Sequence, residues 1–253
     1  MSAERLSRLA QFIGEEGLAR LTASHVVVVG LGAVGSYALE GLARSGVGRL
    51  RLVDFDEVRE SNFNRQLLAT EASLGLPKVE AATERVASIN PDCLVEPLRL
   101  FVHAETLPAV LAGPPDLVLD CIDSFRPKVE LLSGALEAGV PVASSMGAAL
   151  RTDPARVHTG PLSTTRVCPL ARRLRSELKK RSLPTDLPCV WSDEPVDNSL
   201  VREPEAAEAA GEYQRGRPRR ALGSLPTLTG LFGLTLANLA LELLLGDLWP
   251  GRR

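Results

Sequence analysis

No Cys-x-x-Cys pair occurs among the four cysteines, Cys93, Cys121, Cys168 and Cys189. That spacing argues against a structural zinc knuckle and fits reduced thiols, so a cytoplasmic location is expected. Nor does either charge dominate: 29 basic residues stand against 31 acidic ones, for a net charge of −2. A chain that is basic all over is excluded, but a local basic patch for nucleic acid is not. No basic stretch leads into an apolar run at the start, so no secretion signal is expected. No internal repeat is apparent. What is left, at 253 residues, 45% hydrophobic and 24% charged, is an ordinary globular composition with enough chain to bury a core.

The apolar pattern alternates between two periods. Residues 1–24 carry leucines at helical spacing among charges. His25 to Gly30 is a β-branched run too short for a helix, as expected of a strand buried on both faces. A helix over 34–45, a strand over 49–54 and a helix over 78–90, ended by Pro91, follow. Residues 94–102 read as a third strand, with Pro97 pointing to an edge or bulge. Two short apolar runs, 117–120 and 142–145, flank a helical stretch over 127–138. Such alternation predicts an α/β fold: a doubly wound, Rossmann-like, mainly parallel sheet with helices on both faces.

Beyond about residue 152 the pattern changes. Residues 169–181 form a strongly basic helix candidate, and 193–220, rich in Pro, Glu, Ala and Arg, read as a long mobile loop. The expected organisation is one domain, with a nucleotide-binding core over 1–150 and a substrate-facing extension over 151–253. The last segment, 225–245, is nearly all apolar and long enough to span a bilayer. Asn238 and Glu242 sit within it and Gly230 and Gly233 interrupt it, so a buried core or interface helix is expected and stable membrane insertion is not.

Gly30-Leu-Gly32-Ala-Val-Gly35 is a G-x-G-x-x-G between a strand and a helix. Glycines let the backbone turn tightly and approach a phosphate, whose charge meets the helix N-terminus. Asp54, nineteen residues after Gly35, can accept hydrogen bonds from ribose hydroxyls. Alone, this fingerprint means a nucleotide, or a tight turn with no ligand. The next residues disfavour a nicotinamide-dependent dehydrogenase: Ser61-Asn62-Phe-Asn64-Arg65-Gln66, then Pro77-Lys78, then Asp120-Cys121-Ile-Asp123. An Asn, an Arg and a Lys near a glycine loop suit a triphosphate. A carboxylate beyond a strand's carboxyl end can hold Mg²⁺. Each also has a plain reading: Asn62 as a turn cap, Lys78 as a solvated lysine, Asp123 as a helix cap, Cys121 as a small buried residue.

The order G-x-G-x-x-G, D-x-D, N-x-x-R-Q, P-K, D-x-x-D resembles the ThiF/MoeB/HesA-type adenylating enzymes related to ubiquitin activators, over residues 1–150. By that resemblance Gly30, Gly32 and Gly35 carry the phosphates of ATP and Asp54 its ribose. Asn62, Arg65 and Lys78 would contact the triphosphate, Asp123 would bind Mg²⁺, and a homodimer is implied. An arginine from the partner subunit often reaches the phosphates in this family, and Arg8 sits in a fitting stretch.

Carrier-protein activators usually have two Cys-x-x-Cys pairs, which this chain lacks. It is similar instead to the tRNA threonylcarbamoyladenosine dehydratase branch, through Ser144-Ser-Met-Gly-Ala148, Asp153-Pro154, Cys168-Pro169-Leu-Ala-Arg172 and Cys189-Val-Trp-Ser-Asp-Glu194. That implies tRNA as partner and an acyl-adenylate route to a cyclised nucleoside; the alternative is adenylation of a ubiquitin-like sulfur carrier. Independently, residues 166–181 hold seven Lys or Arg and one acid, Glu177. Such density is the footprint of a phosphate-backbone site or of a solvated helix face. Arg172, Arg173, Arg175, Lys179 and Lys180 are the nucleic-acid candidates, and Arg215, Arg217, Arg219 and Arg220 form a second cluster. The family's cysteine near the start of the last helix is absent from 217–225, leaving Cys168 and Cys189 as thiols without an assigned role.

Overall fold

A computed structural model describes residues 3–197, 199 and 222–252. Seven strands form one sheet in the order β3-β2-β1-β4-β5-β7-β6. The strands are β1 (His25–Val29), β2 (Arg49–Val53), β3 (Leu94–Leu98), β4 (Leu117–Asp120), β5 (Val142–Ser145), β6 (Val157–Pro161) and β7 (Pro188–Ser192). The helices are α1 (Ala3–Ala23), α2 (Gly35–Arg44), α3 (Lys78–Ile89), α4 (Leu107–Val110), α5 (Phe125–Glu137), α6 (Pro169–Lys180) and α7 (Pro226–Leu245).

All neighbouring strands are parallel except β6, which runs antiparallel to β7. β1 is buried along its whole length, as helices on both faces of a parallel sheet require. The strand order reverses between β1 and β4, the switch point where doubly wound sheets open a ligand crevice at the strands' carboxyl ends. β3 stops at Leu98, four residues short of the expected end, and lies at the sheet edge as Pro97 implied. β6 and β7 had no counterpart in the pattern reading. They tie residues 151–197 to the same sheet as the nucleotide half.

α1 is kinked where Gly14 takes φ +82°. α7 is a core helix: it packs on α2, β4, β5, β6 and β7. A Cβ on Gly233 would lie 2.3 Å from Val34 O, and one on Gly230 would lie 3.2 Å from the Tyr37 ring. The two glycines that break the apolar run are what let α7 approach α2. α7 is nonetheless long and apolar enough to cross a membrane by length and composition. Of the loop expected over 193–220, residues 198 and 200–220 lie outside the described residues, as do Arg215, Arg217, Arg219 and Arg220.

Candidate active site at the carboxyl edge of the sheet

The glycine turn follows β1 directly. Gly30 has φ +90°, and a Cβ on Gly35 would sit 1.7 Å from Gly30 O, so both positions demand glycine. Gly32 differs: its Cβ direction opens into space, with Gln66 Nε2 nearest at 3.8 Å. Val34, at the cap of α2, gives no side-chain hydrogen bond to the helix start. An uncapped helix N-terminus behind a glycine with free space beside it is a cradle that a phosphate fits.

Asp54 ends β2 beside this turn. Its Oδ2 accepts from Leu31 N–H at 2.7 Å and its Oδ1 from Asp56 N–H at 2.9 Å, so the carboxylate fixes the glycine turn before any ligand arrives. Burial pushes its carboxyl above the ordinary range, opposed by the Lys78 cation and reinforced by Asp56. Lys78 is 5% exposed, and its Nζ lies 3.2 Å from Asp56 Oδ2. The plain reading of Lys78 as a solvated surface residue does not hold. It is buried instead, paired with Asp56 and acting on the Asp54 charge.

The 60–69 segment folds over the turn. Ser36 Oγ on α2 accepts from Leu67 N–H at 3.2 Å, which brings the segment against the helix start. Asn62 is buried, and its Oδ1 accepts from Arg59 N–H at 3.1 Å, so it does cap a turn. Arg65 is half-buried, its guanidinium donating to Ser61 O and Asn64 Oδ1, both at 2.9 Å. Gln66 is also buried and lies next to Gly32, a placement that the sequence pattern does not assign. Its place in the N-x-x-R-Q run was the signal available.

Asp123 lies three residues beyond β4 and is exposed, one residue outside the helix cap Ser124, whose Oγ donates to it at 3.3 Å. Among the described residues no three His, Cys, Asp or Glu side chains gather as a metal cage. A single carboxylate suits Mg²⁺ held chiefly through phosphate oxygens and water. The other aspartate of the motif has a different task. Asp120 is fully buried, bonded to Lys128 Nζ at 2.5 Å, Ser144 Oγ at 2.6 Å and Ile122 N–H at 3.1 Å. Nothing in helical or strand periodicity flags Lys128 as buried.

α6 buries Ala171, Leu174 and Leu178, an i, i+3, i+7 stripe, and turns Arg172, Arg173, Lys179 and Lys180 outward. Arg175 departs from the expected set: its Nη1 donates inward to Leu162 O at 3.2 Å and Thr165 O at 3.0 Å. It braces the approach to α6 and is removed from the nucleic-acid candidates. Arg173 stacks 4.2 Å above the Phe125 ring, and Leu170 packs on Gly147, so the start of α6 flanks the loops after β4 and β5. Arg8 is exposed on α1, whose Arg5 donates to Ile89 O at the far, amino end of the sheet. It does not reach the crevice of its own chain. Cys168 and Cys189 are both buried, and burial pushes the Cys189 thiol up to about 12. Cys121 is also pushed up, by burial first and by the Asp120 charge second.

Residues 5–252 match the ThiF family. A tRNA threonylcarbamoyladenosine dehydratase of Bacillus subtilis is 38% identical over 232 residues, covering 90% of each chain. Dehydratase 2 of Saccharomyces cerevisiae is 37% identical over 248 residues, which are 93% of this chain but 55% of the yeast protein. The structure of the Escherichia coli tRNA N6-threonylcarbamoyladenosine dehydratase in complex with ATP superposes with a TM-score of 0.83 at 30% identity. That match covers 97% of this chain and 95% of the other.

Proposed function

The chain belongs to the ThiF family, and from that premise we propose that it is an ATP-dependent dehydratase that cyclises threonylcarbamoyladenosine in tRNA. The observation carrying this reading is the cradle itself: open at Gly32, closed at Gly30 and Gly35, and flanked by buried Asp54 and Lys78. Such a crevice takes a nucleoside triphosphate.

The threonine carboxylate attacks the α-phosphorus of ATP. One carboxyl O–P bond forms, the bond to the bridging oxygen breaks, and pyrophosphate leaves. The carbamoyl group then attacks the carboxyl carbon, closes the ring and releases a proton to solvent; AMP leaves carrying the former carboxyl oxygen, so the elements of water are lost overall. Asp54 receives the ribose hydroxyls, while Gly30, Gly32, Gly35 and the N-terminus of α2 receive phosphate oxygens. Asn62, Arg65 and Lys78 face the triphosphate; the two cations stabilise the charge that accumulates as pyrophosphate departs. Mg²⁺ at Asp123 would neutralise phosphate oxygens as a Lewis acid. Arg172, Arg173, Lys179 and Lys180 receive the tRNA backbone. Arg8 acts across a homodimer, since it faces away from its own crevice. The intramolecular nucleophile needs no protein thiol, in keeping with the buried Cys168 and Cys189.

Nucleoside mass spectrometry after incubating modified tRNA, ATP and the enzyme tests the proposal, with appearance of the cyclised nucleoside as the expected result. Intact modified nucleoside beside an adenylated sulfur-carrier C-terminus in a parallel reaction would favour the carrier-protein alternative. Asp123→Ala should abolish adenylate formation with the melting temperature preserved, and unchanged turnover would remove Asp123 from the site.

A further inference from the structure

Arg151 is 2% exposed, yet among the described residues its Nε and Nη1 have no hydrogen-bond partner. Arg51, equally buried, spends Nη1 on Val110 O and Ala112 O and Nη2 on Glu96, and leaves only its Nε without a partner among the described residues. Burying a guanidinium is costly unless an anion or acceptors meet it. Arg151 thus holds two N–H donors in reserve at a fixed place.

The place is set from both sides. Leu150, just before it, takes φ +59° and donates its N–H to Gly223 O at 2.9 Å. A leucine in the left-handed region persists only where its surroundings hold it there. Just after it, the Glu194 carboxylate accepts from Thr152 N–H at 2.9 Å, Thr152 Oγ1 at 2.7 Å and Asp153 N–H at 3.1 Å. The Arg151 charge also acts on Glu194, so the guanidinium has a counter-charge nearby, while among the described residues its Nε and Nη1 still meet no acceptor.

Arg151 stands six residues past Ser145, on the connection that leaves the carboxyl end of β5. Along that edge the order is Asp54 after β2, the glycine turn after β1, Asp123 after β4, the Arg151 loop after β5 and Glu194 after β7. Strands stand about 4.8 Å apart, so β5 lies roughly 10 Å from β1. A nucleotide reaching from Asp54 to the glycine turn fills the β2–β1 half. The group that attacks its α-phosphorus has to enter from the β4–β5 half. That group is a carboxylate brought toward a polyanion, which requires a cation distinct from those facing the triphosphate.

We propose that Arg151 binds the carboxylate of the acyl substrate and holds it for attack on the α-phosphate. This inference rests on the dehydratase reading for the identity of the substrate; the anion-binding guanidinium rests on the geometry alone. Charge neutralisation by Arg151 offsets the repulsion between the two reactants, and the attachments of its loop to Gly223 and Glu194 supply the orientation.

The test compares the parent protein with Arg151→Gln and Arg151→Lys. The expected result for Arg151→Gln is a fall of tenfold or more in kcat/KM for modified tRNA, ATP affinity within twofold of the parent, and an undiminished melting temperature. Arg151→Lys should recover part of the tRNA-dependent loss. Unchanged kcat/KM for tRNA would overturn the proposal, as would a loss matched by falls in ATP affinity and melting temperature, which marks a structural role. Should Arg151→Gln not fold, parent crystals soaked with a non-hydrolysable ATP analogue and N-carbamoyl-L-threonine decide. A carboxylate within hydrogen-bond reach of Arg151 supports the proposal, and a carboxylate elsewhere, or none, refutes it. The parent's own tRNA turnover separates the two readings, since a parent enzyme that fails to cyclise tRNA defeats the dehydratase assignment whatever the soak shows at Arg151.

Discussion

Lys128 Nζ lies 2.5 Å from Asp120 Oδ2, and neither side chain is exposed to solvent. The ammonium also donates to Ser145 O at 3.0 Å, while Ser144 Oγ donates to the same carboxylate oxygen. One ion pair therefore joins β4, α5 and β5 beneath the crevice. Removing one partner of such a pair leaves a charge with no counterpart. Lys128→Met should lower stability by about 3–5 kcal/mol in urea unfolding. The double change Lys128→Met with Asp120→Asn should lose clearly less, because no charge is stranded; equal losses would show that packing rather than charge is at stake.

The two outer glycines and the middle one should part company. Gly35→Ala places a methyl on Gly30 O, and the expected outcome is a protein that melts far lower or does not accumulate. Gly32→Ala meets only Gln66 Nε2, at an ordinary contact distance of 3.8 Å, so its melting temperature should match the parent. Its methyl occupies the space proposed for phosphate, and titration with ATP should show affinity at least tenfold weaker.

Charge reversal at Arg172 and Arg173 should weaken tRNA binding and flatten its salt dependence. Each phosphate contact contributes roughly 0.7–0.9 to the slope of log K against log salt, so losing two contacts should lower it by about 1.4–1.8. Filter binding over a salt series checks this. Arg175→Glu is the contrast, expected to act through stability because its guanidinium is tied to Leu162 and Thr165.

Replacing Cys168 and Cys189 by serine one at a time should leave ATP-dependent cyclisation at or near the parent rate in protein that remains folded. Loss of activity without loss of the fold would bring a thiol back into the mechanism.

Glu40 sets a pH dependence of stability. Burial raises its carboxyl, but hydrogen bonds from Arg85 and Arg44 outweigh burial, and the net direction is below the ordinary 4.5. A folded value below the unfolded one gives stability that is present above pH 4.5 and lost as pH falls through the folded value. The stability gap between the parent and Glu40→Gln should therefore be widest above pH 4.5 and close in more acidic solution. A gap independent of pH would contradict the pairing.

The elements that positioned the glycine turn were legible because each is a short β-branched or amphipathic run bounded by glycine or proline. β6 and β7 were not: Val157–Pro161 contains Gly160 and Pro161, and Pro188–Ser192 opens on proline, so neither looks like a strand until paired. Site legibility followed the same divide. Gly30, Gly35 and Asp54 announce themselves by spacing, whereas the burial of Lys78, Lys128 and Arg151 is decided by tertiary contacts that no local period encodes. Arg175 reads as one more cation in a basic run, and only the fold turns it inward.

The edge strand β3 has a consequence for how copies of this chain meet. Leu94 donates to Gly48 O toward β2, so alternation puts Leu94, Glu96 and Leu98 on the paired side and Val95 and Pro97 on the outer rim. Proline has no N–H to offer there, and an incoming strand would find a gap in the ladder midway along it. Recruitment of a foreign β-segment onto that margin is blocked at its centre, which steers self-association toward helical surfaces and away from fibril-like growth.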